Sequence, residues 1–295
     1  MEPVEPEQPR RQYHLLAVVA AMLIWSTSFV ATKLAYASFP PLTLGALRFV
    51  IALAALSVMT RVGGGFVLPP RRDLLVMFAG GALGITLYFA MENIGVSLTS
   101  ASNAALIMAS YPAITILMER LTYGTRVSGR KWVGVLVAIV GVMLVSGMQT
   151  AQAGQNQLLG NLILSATGFV WALYNFTTRS VVNKYSAVTV SFYQTLAGAL
   201  LFIPLAFVEV DKWAVPDGQS VLVLFYLGVL CSVAAFMLYN YGLRKLSAGT
   251  AVSLANLVPV FGVLLSVLVL GETLHPLQIL GGVVVILGVT LSVRQ

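Results

Sequence analysis

Apolar runs of about the length of a bilayer-crossing helix, repeated from one end of the chain to the other, limit this sequence to very few folds. The stretch "LLVMFAGGALGITLYFAM" at 74–91 is one sample, uninterrupted by any charged side chain. A helix needs about 20 mostly apolar residues to cross the hydrocarbon of a bilayer. Runs of that kind lie near 14–36, 42–61, 73–96, 99–120 and 130–147, and again near 158–180, 187–208, 219–243, 246–270 and 275–293. Between them "SFPP", "RVGGG" to "PPRRD", "GTRVSGRK", "TAQAGQNQ", "NKYS" and "EVDKWAVPDG" supply turn formers and charges. Charged residues are only 9% of the 295, against roughly a quarter in a soluble domain. The reading is an all-α membrane protein of ten transmembrane helices.

The basic residues orient those spans. With both termini cytoplasmic, all 17 Lys and Arg except Lys33, Arg48 and Lys212 fall on the inner side, as the positive-inside rule requires. The net charge of +7 is thus a signal of topology, and no nucleic-acid partner is expected. Residues 1–13, "MEPVEPEQPRRQY", form a Pro- and Glu-rich cytoplasmic tail expected to be disordered. The apolar run after it is too long for a signal-peptide core and lacks a small-residue cleavage site, so it should persist as a membrane helix. The single cysteine, Cys231, allows no disulfide and no thiolate metal site within one chain.

The second half of the chain repeats the first. Trp171 follows Trp25 by 146 positions, as Arg179 follows Lys33 and Thr189 follows Thr43. From the third span the offset becomes 147: Asn93, Gly95 and Pro112 match Asn240, Gly242 and Pro259, while Gly124, Gly134 and Gly141 match Gly271, Gly281 and Gly288. The units are 14–147 and 158–293, each of five spans. Because five is odd, the second copy enters the membrane from the opposite face, giving an inverted repeat. That arrangement lets a site near the midplane open alternately to either side.

The chain resembles the drug/metabolite transporter superfamily in its ten-helix branch of EamA-type exporters, over about residues 14–293. The resemblance rests on the tandem five-helix copies, "IWSTSFVATK" in the first helix, "NIG" and "NYG" ending the third of each copy, "SYP" and "LVP" inside the fourth, and "LGETL" after it in the second copy. The first copy departs from that last motif, reading "YGTRV" with Thr125 in place of the acid. The pattern looks closest to YddG-like amino-acid exporters. It implies a secondary transporter in the bacterial inner (plasma) membrane, and export as the direction.

At ~1.5 Å rise per residue, Trp25 lies about 16 Å into its helix and Trp171 at a similar depth from the other face. Tryptophan ordinarily gathers at membrane interfaces, so a midplane pair suggests a cavity wall, with helix packing as the alternative. Trp25, Ser28 and Thr32 share one helical face, and Trp171, Tyr174, Asn175 and Thr178 share another. Their hydroxyls either meet a small amphiphile or bond their own helix. Tyr88, one turn inward of Glu92, joins this wall, with Gly84 and Gly81 expected to leave space beside its ring. Asn175 and Asn256 would add amide contacts. Pro112 and Pro259 should kink spans four and nine and serve as matched hinges. Lys33, Arg48 and Glu92, charges within spans, are functional by default; Glu92 is expected to pair with one of the cations in an outer gate. The glycine stripes Gly134/Gly141 and Gly281/Gly288 suit close helix packing, within a monomer or at a homodimer seam through spans five and ten.

An ATP-driven pump would need a G-x-x-x-x-G-K-[ST] loop, which is absent. The only histidines, His14 and His275, flank the membrane and offer no zinc motif, so neither an enzyme nor a metal or cofactor is expected, and a receptor would leave the repeat unexplained. Among substrates, organic cations would call for an acid in the first helix, and sugar phosphates for several deep cations. A neutral zwitterion with an apolar side chain, such as a large neutral or aromatic amino acid, fits best. Multidrug or nucleotide-sugar transport within the superfamily is the alternative.

Overall fold

The computed structural model describes residues 11–63, 65–124, 127–146, 156–243, 254 and 257–293. Every regular element among them is helical. The helices are α1 (Arg11–Ala35), α2 (Pro41–Val62), α3 (Arg71–Gly81), α4 (Tyr88–Leu98), α5 (Ala101–Met108), α6 (Tyr111–Tyr123) and α7 (Gly129–Ser146). They continue as α8 (Gln157–Val182), α9 (Ala187–Ala206), α10 (Gly218–Phe225), α11 (Ala235–Leu243), α12 (Leu257–Leu270) and α13 (Pro276–Val293). Among the described residues, seven helices are long and apolar enough to cross a membrane, or eight if the bent pair α5–α6 is one span; Leu257–Leu270 and Pro276–Ser292 are shorter apolar helices. The first helix begins at Arg11, inside the stretch expected to be disordered.

Local chemistry sets the helix ends. Pro40 and Pro41 open α2, where a missing N–H costs nothing. Ser100, Ser186 and Asp217 cap α5, α9 and α10 by accepting from the backbone N–H three residues on. Gly124 ends α6 at φ 64° and Gly271 follows α12 at φ 65°, the left-handed conformation that glycine adopts without a Cβ penalty. These two turns lie 271 − 124 = 147 residues apart, the offset of the sequence repeat.

Two wide π turns interrupt otherwise α-helical spans. Ala82–Leu87 joins α3 to α4, and Tyr226–Ala234 joins α10 to α11. Adding 147 to 82–87 gives 229–234, so the two occupy matching positions. A π turn leaves one carbonyl without its usual partner and recurs at functional sites. The span holding Pro112 is broken: α5 and α6 meet at 40°, with Pro112 second in α6.

The two chain halves interlock. From the first half, α2 packs on α9, α4 on α8, α5 on α12, and α1 on α11 and α12. The seam between α7 and α13 is made of glycine. A Cβ on Gly134 would stand 2.6 Å from the Gly288 carbonyl oxygen, and one on Gly141 would stand 2.8 Å from that of Gly281. Of the two expected uses of these stripes, packing within a monomer or a dimer seam, the structure shows the first: they face each other within one chain.

Candidate functional site

The wall expected around the midplane divides into two aromatic groups. In the first, α4 and α8 bring Tyr88 to 5.4 Å from Trp171 between ring centroids, with Tyr174 5.2 Å beyond. Tyr88 also meets Phe89 at 4.9 Å and Tyr111 at 6.4 Å. The Tyr111 hydroxyl donates to the Leu164 carbonyl at 3.0 Å, and that of Tyr174 to Gln194 Oε1 at 3.2 Å. A Cβ on Gly84 would lie 2.2 Å from the Tyr174 ring, and one on Gly81 2.2 Å from the Gln194 carbonyl oxygen. Contrary to the sequence expectation, the space that these glycines leave is filled by the neighbouring helices α8 and α9.

Trp25 belongs to the second group. Its ring contacts Phe236 at 4.9 Å and Tyr239 at 5.3 Å, both on α11. Its Nε1–H donates to the Cys231 carbonyl at 3.0 Å, inside the second π turn. Trp25 and Trp171 make no ring contact with each other; Met108, at the break between α5 and α6, packs on the core cluster that holds Tyr88 and Tyr111 and also on the cluster of Val18, Met22 and Val258, on which Trp25 packs too. Ser28 is buried one turn from Trp25. Asn175 Nδ2 donates to the Trp171 carbonyl at 2.7 Å, so that donor is taken by its own helix. Pro259 is buried, third in α12. Asn256 and Thr125 lie outside the described residues.

Two buried charges stand above the first group. Arg48 is 3% exposed and Glu92 5%. Arg48 Nε donates to Ser232 Oγ at 2.6 Å, and its guanidinium carbon lies 4.6 Å from the Phe89 ring centre. Ser232 in turn donates to the Leu227 carbonyl at 2.9 Å, a bond five residues back that the π turn makes available. Glu92 forms no ion pair with Arg48 or Lys33, so the pairing expected for an outer gate is not made in this structure. The groups that act on its carboxylate are the Arg48 guanidinium and the Tyr88 hydroxyl. Lys33 is half-buried, with Glu272 as the acid that acts on it.

Carboxylates bind one end of the bundle together. Glu209 Oε2 accepts from the Thr43 N–H at 2.8 Å and from its hydroxyl at 3.0 Å. Glu272 accepts from the N–H groups of Ala101 and Ser102 at 2.8 and 3.0 Å. The Ser38 hydroxyl donates to Asp217 at 2.6 Å; this bond and the Ser220 N–H hold the Asp217 carboxyl well below the usual range. A cavity of about 350 Å³ beside them is lined by Phe39, Leu47, Ile203 and Trp213 among others. Among the described residues, no group of three or more His, Cys, Asp or Glu could hold a metal ion. The π turns, Ser232 and the carboxylate caps carried no signal that sequence reasoning picked up. Only the quoted "LGETL" pointed at Glu272.

Membrane-length helices from two interlocked chain halves, enclosing aromatic rings and buried charges, define a transmembrane transporter. The chain belongs to the EamA-like transporter family, whose profile matches residues 12–147 and again 158–294. It is 27% identical over 286 residues to an uncharacterized transporter of Archaeoglobus fulgidus, covering 96% of this chain and 97% of that one. It is also 27% identical to a probable terminal-alkyne amino-acid exporter of Streptantibioticus cattleyicolor, covering 95% of this chain and 93% of that one. A probable amino-acid metabolite efflux pump of Escherichia coli is 26% identical, with 92% of each chain covered. A solved crystal structure shares the fold, with a TM-score of 0.67 at 22% identity over 96% of this chain and 97% of that one. The family and these relatives make the chain a transporter and not an enzyme.

Proposed function

We propose that the protein is a secondary exporter of neutral amino acids, aromatic and large aliphatic ones foremost, working by alternating access. The observation that carries this is the row Tyr88, Trp171 and Tyr174, with ring centroids 5.2 to 5.4 Å apart, between helices of opposite chain halves. Aromatic faces favour an apolar side chain over a heavily charged solute, and two of the relatives are named for amino-acid export. Ten spans in two inverted repeats, 14–147 and 158–293, fit the matched left-handed glycines and matched π turns. The positive-inside pattern puts both termini in the cytoplasm of a bacterial plasma membrane. The carboxylate-bound end, with Lys33, then faces outward.

In this scheme Trp25, Ser28, Tyr88, Trp171, Tyr174, Asn175 and Asn256 line the route, and Pro112 and Pro259 let spans four and nine swing over it. The glycine seam between α7 and α13 stays fixed. The working unit is a monomer. The test is flux in proteoliposomes holding the purified protein alone: labelled phenylalanine or leucine should move, while organic cations and sugar phosphates should not. Movement of either of the latter two without the amino acids would refute the assignment.

A further inference from the structure

We infer that Arg48 and Glu92 are the pair that reads the charged end of the substrate, Arg48 taking a carboxylate and Glu92 an ammonium group on the same carbon. The inference rests on the proposed amino-acid site and names its head-group chemistry. Its first support is an orphan donor. Arg48 Nη1 is buried with no hydrogen-bond partner, while Nε is fixed on Ser232. The Phe89 and Phe49 rings, 4.6 and 5.6 Å from the guanidinium carbon, attract the cation but offer no acceptor. Leaving such a donor unmet inside a membrane protein is costly.

The second support is the separation of the two charges. Both are more than nine-tenths buried, yet no guanidinium nitrogen comes within 4.0 Å of a Glu92 oxygen. Direct pairing would be the cheapest remedy for two buried opposite charges. Two opposite charges buried side by side without pairing are complementary to a molecule that carries both charges, as an α-amino acid does. A planar guanidinium also suits a carboxylate better than an ammonium would. The third support is placement. Tyr88 lies one turn from Glu92 on α4, and Trp171 and Tyr174 continue from Tyr88. A zwitterion held at Arg48 and Glu92 would lay its side chain along those rings. The positioning residue is Ser232, itself set by the π turn through the Leu227 carbonyl.

The test is ligand-induced thermal stabilisation of the purified full chain with three probes: L-phenylalanine, phenethylamine, which lacks the carboxylate, and 3-phenylpropanoate, which lacks the ammonium. Wild type should prefer phenylalanine over each analogue by at least about tenfold, the scale of one charged hydrogen bond. Arg48→Met should abolish the preference over phenethylamine and keep that over 3-phenylpropanoate; Glu92→Gln should do the reverse. Should Arg48→Met not fold, Arg48→Lys takes its place, and the preference over phenethylamine should shrink severalfold because the fork is gone. Unchanged preferences, or equal weakening of all three probes, would overturn the inference. A wild type that neither binds nor moves any amino acid would instead refute the proposed function on which it rests.

Discussion

Glu272 caps a helix that begins at Ala101, far earlier in the chain: its Oε1 accepts from the Ala101 N–H at 2.8 Å. Its Oε2 accepts from the Ser102 N–H at 3.0 Å and from the Ser102 hydroxyl at 2.6 Å. A carboxylate at a helix N-terminus meets both orphan donors and the positive end of the dipole. The acid is 8% exposed, so removing it strands buried donors.

Glu272→Ala should therefore lower unfolding stability by about 1–3 kcal/mol, read as a fall in melting temperature in detergent. Glu272→Gln should fall less, since one amide oxygen can still accept. A melting temperature unchanged in both variants would show that the cap contributes nothing.

The glycine seam predicts a sharper loss. A Cβ on Gly288 would lie 2.4 Å from the Ala138 nitrogen, a backbone atom that cannot turn aside. Gly288→Ala should cost about 1–3 kcal/mol by overpacking and should reduce monodisperse protein on size exclusion. Gly129→Ala is the control, because its Cβ would enter open space.

Trp171→Ala and Trp25→Ala should separate by substrate. Losing on the order of 60 Å² of apolar contact costs about 1.5 kcal/mol at the usual coefficient. Trp171→Ala should thus weaken phenylalanine export roughly tenfold and spare threonine. Trp25 also anchors the second π turn through Cys231, so Trp25→Ala should reduce all substrates alike. Flux over a panel of amino acids at matched expression decides between these patterns.

Pro112 has no N–H to offer the Met108 carbonyl across the break between α5 and α6. Pro112→Ala restores that donor and should straighten the span, slowing flux severalfold while phenylalanine affinity stays near wild type. Equal flux in Pro112→Ala and wild type would leave a static kink.

The Ser38–Asp217 contact has a defined response to pH. The folded-state pKa of Asp217 is depressed, so its stabilisation is complete above the ordinary value of about 3.9. It is lost as pH falls through the lower folded-state value. The melting difference between wild type and Asp217→Asn should stay constant from pH 7 to about 5 and shrink in stronger acid. A difference that already shrinks near pH 6 would contradict the assignment.

Much of the architecture is legible because hydrocarbon forbids charge: the apolar runs locate the helices, and Gly124 and Gly271 mark matched turns. The π turns are not legible. They differ from α-helix by one residue per turn, and "ALGITL" suits either. Arg48 reads as a charge near a span end, but its partner Ser232 is an ordinary hydroxyl far along the chain. Glu272 stands out as an acid, yet what it binds is backbone, which leaves no mark in the sequence. Gly84 shows the limit of that reading: a missing side chain marks space in the sequence but not what fills it, and the expected ligand space is taken by the Tyr174 ring.

The α7–α13 seam has a further property. Under the offset of 147, Gly134 becomes Gly281 and Gly141 becomes Gly288. The contact between Gly134 and Gly288 therefore maps onto that between Gly281 and Gly141, and both contacts are present. A surface that meets its own copy in this way is what a two-fold symmetric dimer requires. The seam thus has the form of a joint between two separate short chains, as an ancestor before gene duplication would have made it. Expressed apart, the two halves would still carry the complementary faces with which to find each other.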